Sequence, residues 1–431
     1  MLSTAEVYMW GTRIGIVHLE DGKAFAAFEY DRNFLKSHIE VSPLYMPLSG
    51  RVYEFPDLVG EAFHGVPGML SDSLPDKFGN AVINQWLVSQ GRSLHEFNAI
   101  DRLCYTGERA MGALEYIPAN GPHNEIDESI NVAEMVRFAS DVLYKRKNAM
   151  THMSDEITYG QLVQLGTSAG GARAKAVIAW NEKTNDIRSG QICLDKDYDY
   201  WLIKFDGVSN NGDHGLEDKP EYTLIEYVYH KMAVRAGIHM SDCRLLSENG
   251  RNHFMTKRFD RVNGKKVHMQ TLGALAHIDY NIPGLCSYEQ AAGIMKQMHL
   301  KASEIEELYR RMVFNVIAVN QDDHVKNISF LMDKKGTWSL SPAYDITFAY
   351  NANNRWLAAH QMLINGKKDH ITREDLLQCG KNMDISTRRC NTIIEQVKMA
   401  TDDWLEIAQE NGIREQTAEL IRKQQNNTKL T

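Results

Sequence analysis

Residues 315–333 read NVIAVNQDDHVKNISFLMD: a helical apolar run breaks into Asn320-Gln321-Asp322-Asp323-His324-Val325-Lys326-Asn327 and then resumes as a strand. Polar groups are thus concentrated at one junction. A carboxylate, an amide five residues on and a nearby lysine can serve phosphoryl transfer. Asp322 would receive or orient the acceptor hydroxyl, Asn327 would hold a divalent ion, and Lys326 would neutralise developing charge. Such a metal needs a second carboxylate, and Asp345 in Ser341-Pro342-Ala343-Tyr344-Asp345-Ile346 supplies one. It follows a hairpin whose turn is Asp333-Lys334-Lys335-Gly336. A hairpin returns the chain to its start, so Asn327 and Asp345 can meet across a metal. Standing alone, an Asp-Asp-His run reads as a solvated loop; its company decides otherwise.

Working outward, Gly166-Thr167-Ser168-Ala169-Gly170-Gly171-Ala172-Arg173-Ala174-Lys175 joins two predicted strands with small residues. The backbone N–H groups of such a loop can face phosphates, although it is not a Walker A loop and a glycine-rich hairpin turn explains it equally well. Lys204 is a charge inside the apolar strand Trp201-Leu202-Ile203-Lys204-Phe205. It reads equally as an edge lysine facing water and as a phosphate ligand. Glu226, on the next helix, reads as its partner or as a surface glutamate. A glycine-rich loop, strand lysine, helix glutamate, strand and linker (254–260), Asp/Asn loop and metal Asp follow the order of a two-lobed protein kinase. There is no H-R-D, D-F-G or A-P-E; the loop is N-x-D-x-H-x-K-N.

The remaining elements fit. Residues 6–30 hold β-rich runs separated by Glu20-Asp21-Gly22-Lys23, a hairpin signal. Helical spacing predicts helices over 81–90 and 132–143, and 145–156 is a polar boundary. Strands are expected at 174–180, 200–205, 243–246 and 252–259, and a helix over 223–236 capped by Gly237. Helices near 288–298 and 303–319, a hairpin over 328–340, and helices near 372–380 and 386–409 follow, with Thr372 and Asp375 as a helix start and a frayed tail after Arg422. The fold class is α+β: a two-lobed protein-kinase-like fold with a β-rich N-lobe (146–260) and a helical C-lobe (261–431), plus an N-terminal β/α subdomain (1–145).

The 431 residues carry a net charge of −8, which speaks against autonomous binding to nucleic acid or anionic membrane. Hydrophobic residues at 43% and charged residues at 24% exclude a disordered or disulfide-scaffold chain. The cysteines form no C-x-x-C pair and are expected as buried thiols. With neither a leader-like start nor a long apolar window, a soluble cytoplasmic protein is expected. His253, His268, His277 and His360 lack ligand spacing and are expected to be hydrogen-bonded or exposed; the methionines Met295, Met298 and Met312 fill a helical core; Glu304 to Glu307 form a solvated helix face.

The chain resembles the HipA serine/threonine kinases, the toxin half of type II toxin–antitoxin modules. The motifs are Gly65-Val66-Pro67-Gly68 through Ser71-Asp72-Ser73-Leu74-Pro75-Asp76-Lys77-Phe78-Gly79, Tyr105 to Leu114, Ser168 to Lys175, Lys257-Arg258-Phe259-Asp260-Arg261, Asn320 to Asn327 and Ser341 to Ile346. The resemblance implies Asp322 as catalytic base, Asn327 and Asp345 as magnesium ligands, and Lys204 as an ATP phosphate contact. It places Ser168, Ala169, Gly170, Gly171, Lys175, His324 and Lys326 at the nucleotide, with the backbone of Lys257 and Phe259 meeting adenine as a hinge. Ser168 would be the autophosphorylation site, with Thr167 beside it as the alternative acceptor. Lys257 stands where a relative has an acidic residue, which a backbone contact tolerates. The Leu74-Pro75-Asp76 loop has no chemistry derivable from sequence and reads as packing. Also implied are a helix-turn-helix, HipB-like antitoxin that carries the complex to operator DNA, a translation factor such as an aminoacyl-tRNA synthetase as protein substrate, and no membrane partner. The rivals are a small-molecule kinase of the aminoglycoside-phosphotransferase sort and a catalytically silent scaffold acting through a DNA-binding partner.

Overall fold

A computed structural model describes residues 1–93, 97–121, 129–147, 173–192, 194, 196–208, 221–428 and 430. The chain divides into two compact units, one of Met1–Pro220, Leu246–Gln270 and Leu331–Thr337, the other of Glu221–Leu245, Thr271–Phe330 and Trp338–Thr431.

The first unit opens with β1 (Thr4–Met9), β2 (Thr12–His18), β3 (Ala27–Tyr30) and β4 (Val52–Glu54); with β5 (Leu114–Ile117) they form an antiparallel sheet in the order β4-β3-β2-β1-β5. The Glu20–Lys23 turn does join paired strands, β2 and β3. The expected first run, however, is itself a hairpin, turning at Trp10 and Gly11, both at positive φ (52° and 78°). Tryptophan is not a residue that announces a left-handed turn.

Helix α1 (Lys77–Ser89) begins four residues before the predicted 81 because Asp76 caps it, its carboxylate accepting from Gly79 N at 2.6 Å. Helix α2 (Ala99–Thr106) was not expected; Asn98 and Asp101 form a capping box at its start. Helix α3 (Val132–Lys147) follows the predicted spacing. A second antiparallel sheet contains β6 (Lys175–Asn181), β7 (Asp186–Ser189), β8 (Asp199–Lys204) and β9 (Arg251–Lys257), with β8 between β6 and β9. Alternate strand residues, among them Ala176, Ile178, Trp201 and Ile203, share a buried cluster with Trp86 of α1 and Val136 of α3. Burial of large side chains of this kind contributes about 1.5–3 kcal/mol each.

The second unit is mainly helical. Helix α4 (Tyr222–Arg235) ends before Gly237, whose φ of +80° is the left-handed stop read from sequence. Helices α5 (Tyr288–Gln297), α6 (Ala302–Ile317) and α7 (Arg373–Asn382) match their predicted spans, and α7 starts with the Thr372/Asp375 capping box. The single helix expected over 386–409 is two, α8 (Thr387–Asp402) and α9 (Trp404–Glu410). The break turns Trp404 inward, where its indole donates to Ala418 O at 2.8 Å. The tail is not frayed at Arg422: α10 runs Glu415–Asn426 and buries Gln425. Nor is Glu304–Glu307 simply a solvated face. Glu304 accepts from Leu340 N (2.7 Å) and Glu307 from His239 N (3.0 Å), tying α6 to neighbouring backbone.

Cys104, Cys286, Cys379 and Cys390 are buried free thiols, and Cys243 is a half-buried one. Among the described residues no helix is long and apolar enough to cross a membrane.

Candidate active site

The predicted Asp/Asn loop leaves the end of α6, in the second unit. Val319 adopts a left-handed conformation (φ 62°), unfavourable for a β-branched residue, and this redirects the chain. Asn320 then bonds back to the helix, its N–H donating to Asn315 O (2.8 Å) and its amide to Asn315 Oδ1 (3.0 Å). The two aspartates that follow separate by environment. The Asp322 side chain is 38% exposed, whereas that of Asp323 is 1% exposed. Asp323 accepts from Gln361 N (2.7 Å) and the Tyr288 hydroxyl (2.9 Å) and pairs with His360 Nδ1 (3.0 Å). Burial would raise its carboxyl, but His360 and these donors hold it below the ordinary aspartate range. Burial, then the Asp323 charge, pushes the Tyr288 phenol well up.

A 3₁₀ turn over Val325–Asn327 brings Asn327 back to the start of the loop. Its amide nitrogen donates to Asp322 O at 2.8 Å, so the carbonyl Oδ1 is the end with ligand chemistry for a hard cation. His324 Nε2 stands 3.9 Å from Asp322 Oδ1, and Lys326 lies over the Tyr280 ring, 4.9 Å from its centroid.

The hairpin return operates as the sequence suggested. Ser341 N donates to Ser329 O (2.9 Å), Tyr344 donates its hydroxyl to Lys326 O (2.6 Å), and the Tyr344 and Ser329 hydroxyls bond to each other. Buried Arg311 fixes the return by donating to Ser341 O at 2.7 Å. Asp345 then sits at φ 53°, a left-handed conformation that aspartate tolerates better than most residues. His324, Asn327 and Asp345 line one cavity with Asn315, Asn320 and Asp323. Asn327 Oδ1 and the Asp345 carboxylate are oxygen donors, the kind that suit magnesium.

Lys175, Lys204, Lys257 and Phe259 lie in the first unit. Lys204 is not an edge lysine facing water: it occupies a strand paired on both sides, is 9% exposed, and has its ammonium 5.9 Å from the Phe254 ring centroid. Lys175, directly opposite Lys204, is 2% exposed and ion-paired with Asp76 at 2.7 Å. In this arrangement its ammonium is turned to the N-terminal part of the chain and away from solvent. Lys257 pairs with Asp199 at 2.8 Å; Phe259 is half-buried. Between them Arg258 joins a cluster that sequence reasoning missed. Buried Asp260 takes a two-bond fork from Arg258 (2.9 and 2.7 Å), a bond from Arg261 (2.8 Å) and one from Gly112 N (2.7 Å). Burial opposes its charge, yet the two arginines hold the carboxyl far below its ordinary range. Glu226, in the second unit, is 2% exposed, which removes the surface-glutamate reading. Thr167, Ser168, Ala169, Gly170 and Gly171 lie outside the described residues.

His253 accepts from Asp206 N (2.9 Å) and His268 contacts Gln270 (2.8 Å), so with His360 these histidines are hydrogen-bonded.

Comparison with known proteins follows the same outline. The HipA N-terminal domain family matches residues 5–117 and the HipA-like C-terminal domain family residues 167–405. The fold is α+β and protein-kinase-like, and the chain belongs to the HipA family. A solved complex of HipA, HipB and operator DNA from Shewanella oneidensis is similar over 99% of this chain and 96% of that one, with a TM-score of 0.64 and 15% identity. A putative kinase of Haemophilus influenzae is 29% identical over 159 residues, and the putative kinase Y4mE of Sinorhizobium fredii 26% over 143. These matches take in 33% and 30% of this chain and span 46% and 34% of the relatives' lengths.

Proposed function

We propose that the chain is an ATP- and magnesium-dependent serine/threonine protein kinase, cytoplasmic and growth-arresting, held in check by a helix-turn-helix antitoxin. The observation that carries this reading is the assembly of Asn327 and Asp345 on one cavity, with half-exposed Asp322 hydrogen-bonded through its carbonyl to Asn327.

In this reading Asp322 orients the acceptor hydroxyl and takes its proton. The hydroxyl oxygen forms a bond to the γ-phosphorus as the bond from that phosphorus to the β,γ-bridging oxygen breaks, and ADP leaves. Magnesium, when bound, would neutralise charge on the phosphate oxygens, with Asn327 Oδ1 and the Asp345 carboxylate as its protein donors. Family likeness assigns Lys204 a phosphate contact and gives His324 and Lys326 nucleotide roles. Lys175 keeps Asp76 as its partner, so its contribution to the nucleotide is through β6, which is paired with the Lys204 strand. The Lys257–Phe259 backbone meets adenine. A protein substrate such as an aminoacyl-tRNA synthetase, and operator DNA reached only through the antitoxin, rest on family likeness.

With purified full chain and Mg-ATP, Asp322→Asn and Asp345→Ala should each lower ADP formation by about a thousandfold, since positioning and metal-charge effects are worth several kcal/mol and about 1.4 kcal/mol corresponds to tenfold. Near wild-type turnover in either variant refutes the assignment. Phosphoproteomics after induction, against Asp322→Asn, identifies the substrate.

Autophosphorylation at Ser168, a residue that family likeness assigns to the nucleotide, would add about −1.5 to −2 charge there and so weaken nucleotide binding. Mass spectrometry of the chain incubated with Mg-ATP should find the modification at 167–168, and Ser168→Asp should bind ATP more weakly than Ser168→Ala. Equal affinities refute the switch.

A further inference from the structure

The segment between the proposed metal ligand Asp345 and helix α7 forms an arch, and both its feet stand on the catalytic loop. At the first foot Gln321 N donates to Ala349 O (2.9 Å) and Ala349 N to Val319 O (3.1 Å), around a parallel bridge between Asn320 and Ala349. At the second, Asp323 takes the Gln361 N–H and pairs with the His360 ring. Ala349, His360 and Gln361 are buried, whereas residues 351–359 between them are half-buried to exposed and carry no regular helix or strand. The arch is closed on itself by Asn351 N donating to Leu357 O (3.0 Å) and the Gln361 amide donating to Trp356 O. A segment with few buried contacts takes its position from its anchors.

Asp322 and Asp323 are consecutive, so the residue proposed to orient the acceptor and the residue that grips the arch share one peptide. Tyr288 extends the same network to α6, accepting from the Asn315 amide (3.1 Å) while donating to Asp323. In protein kinases whose activation segment follows the metal aspartate, order in that segment is often supplied by phosphorylation and an arginine. Here the segment after Asp345 is tied to the loop by the Asp323 carboxylate and the His360 imidazole.

We propose that Asp323 is a positioning residue: it fixes the 350–359 arch to the catalytic loop, so that Asp322 and the arch keep one geometry without covalent modification of the segment. This rests on the kinase reading above. A network worth only fold stability would, when cut, loosen the whole unit; a positioning network loosens the arch and slows the transfer while ATP binding persists.

The test uses the full chain with Mg-ATP, reading ADP formation, the ATP dissociation constant and amide hydrogen exchange together. Asp323→Leu and His360→Leu should each lower ADP formation at least tenfold, leave the ATP dissociation constant within about twofold, and raise exchange chiefly over 349–361. His360→Asn, which keeps a donor near the Nδ1 position, should stay within about threefold of wild type. Wild-type turnover in both leucine variants overturns the proposal, as does exchange that rises throughout the second unit with ATP affinity lost in parallel. Wild-type chain that neither binds ATP nor forms ADP would refute the kinase reading instead, and the exchange measurement would still decide whether Asp323 anchors the arch.

Discussion

Asp322 and Asp323 have the same side chain and opposite situations, and the difference has a measurable consequence in acid. Asp323 is titrated in a buried network that favours its charged form, so its folded pKa lies below its unfolded one. A depressed carboxylate stabilises the fold above the unfolded pKa, about 3.9, and that contribution fades as pH falls through the folded value. Thermal melts of wild type and of the isosteric Asp323→Asn should therefore differ most near neutrality, with wild type more stable, and converge as pH drops below about 4. A gap that stays constant with pH would show that the Asp323 charge is not what the network stabilises. Asp322 has a half-exposed side chain, and its variants should change turnover and leave the melt nearly untouched. From sequence the two could not be told apart by environment, because burial of one member of a doublet is decided by Tyr288, His360 and Gln361, which lie 35 to 38 residues away.

At the scale of elements, the Leu74-Pro75-Asp76 loop acquires a physical role that its sequence did not disclose. Asp76 uses Oδ1 to cap α1 and Oδ2 to pair with Lys175 at the first position of β6. Both side chains are nearly fully buried, and removal of one partner of such a buried pair costs about 3–5 kcal/mol. Asparagine caps a helix about as well as aspartate, so Asp76→Asn isolates the charge from the cap. It should lower stability by an amount of that order, and Asp76→Asn combined with Lys175→Met should recover much of it. A single variant as stable as wild type would mean that Lys175 does not need this carboxylate. The elements themselves were legible where the signal is local: the Gly237 stop, the Thr372/Asp375 start and the Asp333–Gly336 hairpin that carries Asp345 back to Asn327. What failed was non-local or atypical. Trp10 turns a hairpin with the wrong residue type, Trp404 breaks a helix in favour of a distant acceptor, and Lys204 is interior because β6 and β9 flank its strand.

At the scale of the whole molecule, charge separates what the chain does alone from what it does in company. The HipA–HipB–operator structure to which it is similar contains DNA, yet this chain carries −8. Binding to duplex DNA draws most of its non-specific affinity from cations that displace condensed counterions, and a net negative body is repelled at long range. The buried arginines cannot supply that surface: Arg258 and Arg261 are committed to Asp260, and Arg311 to Glu307 and Ser341. In the proposed complex the cationic face would come chiefly from the antitoxin. In a gel shift at physiological salt, the isolated chain should leave operator DNA unretarded, and the chain with its antitoxin should retard it. Affinity of the complex should fall with salt at a slope close to that of the antitoxin alone, because the slope counts phosphates neutralised and this chain would add few. Nanomolar retardation by the isolated chain, or a slope that steepens by several units when it joins the complex, would place DNA-contacting cations on this chain and overturn the assignment.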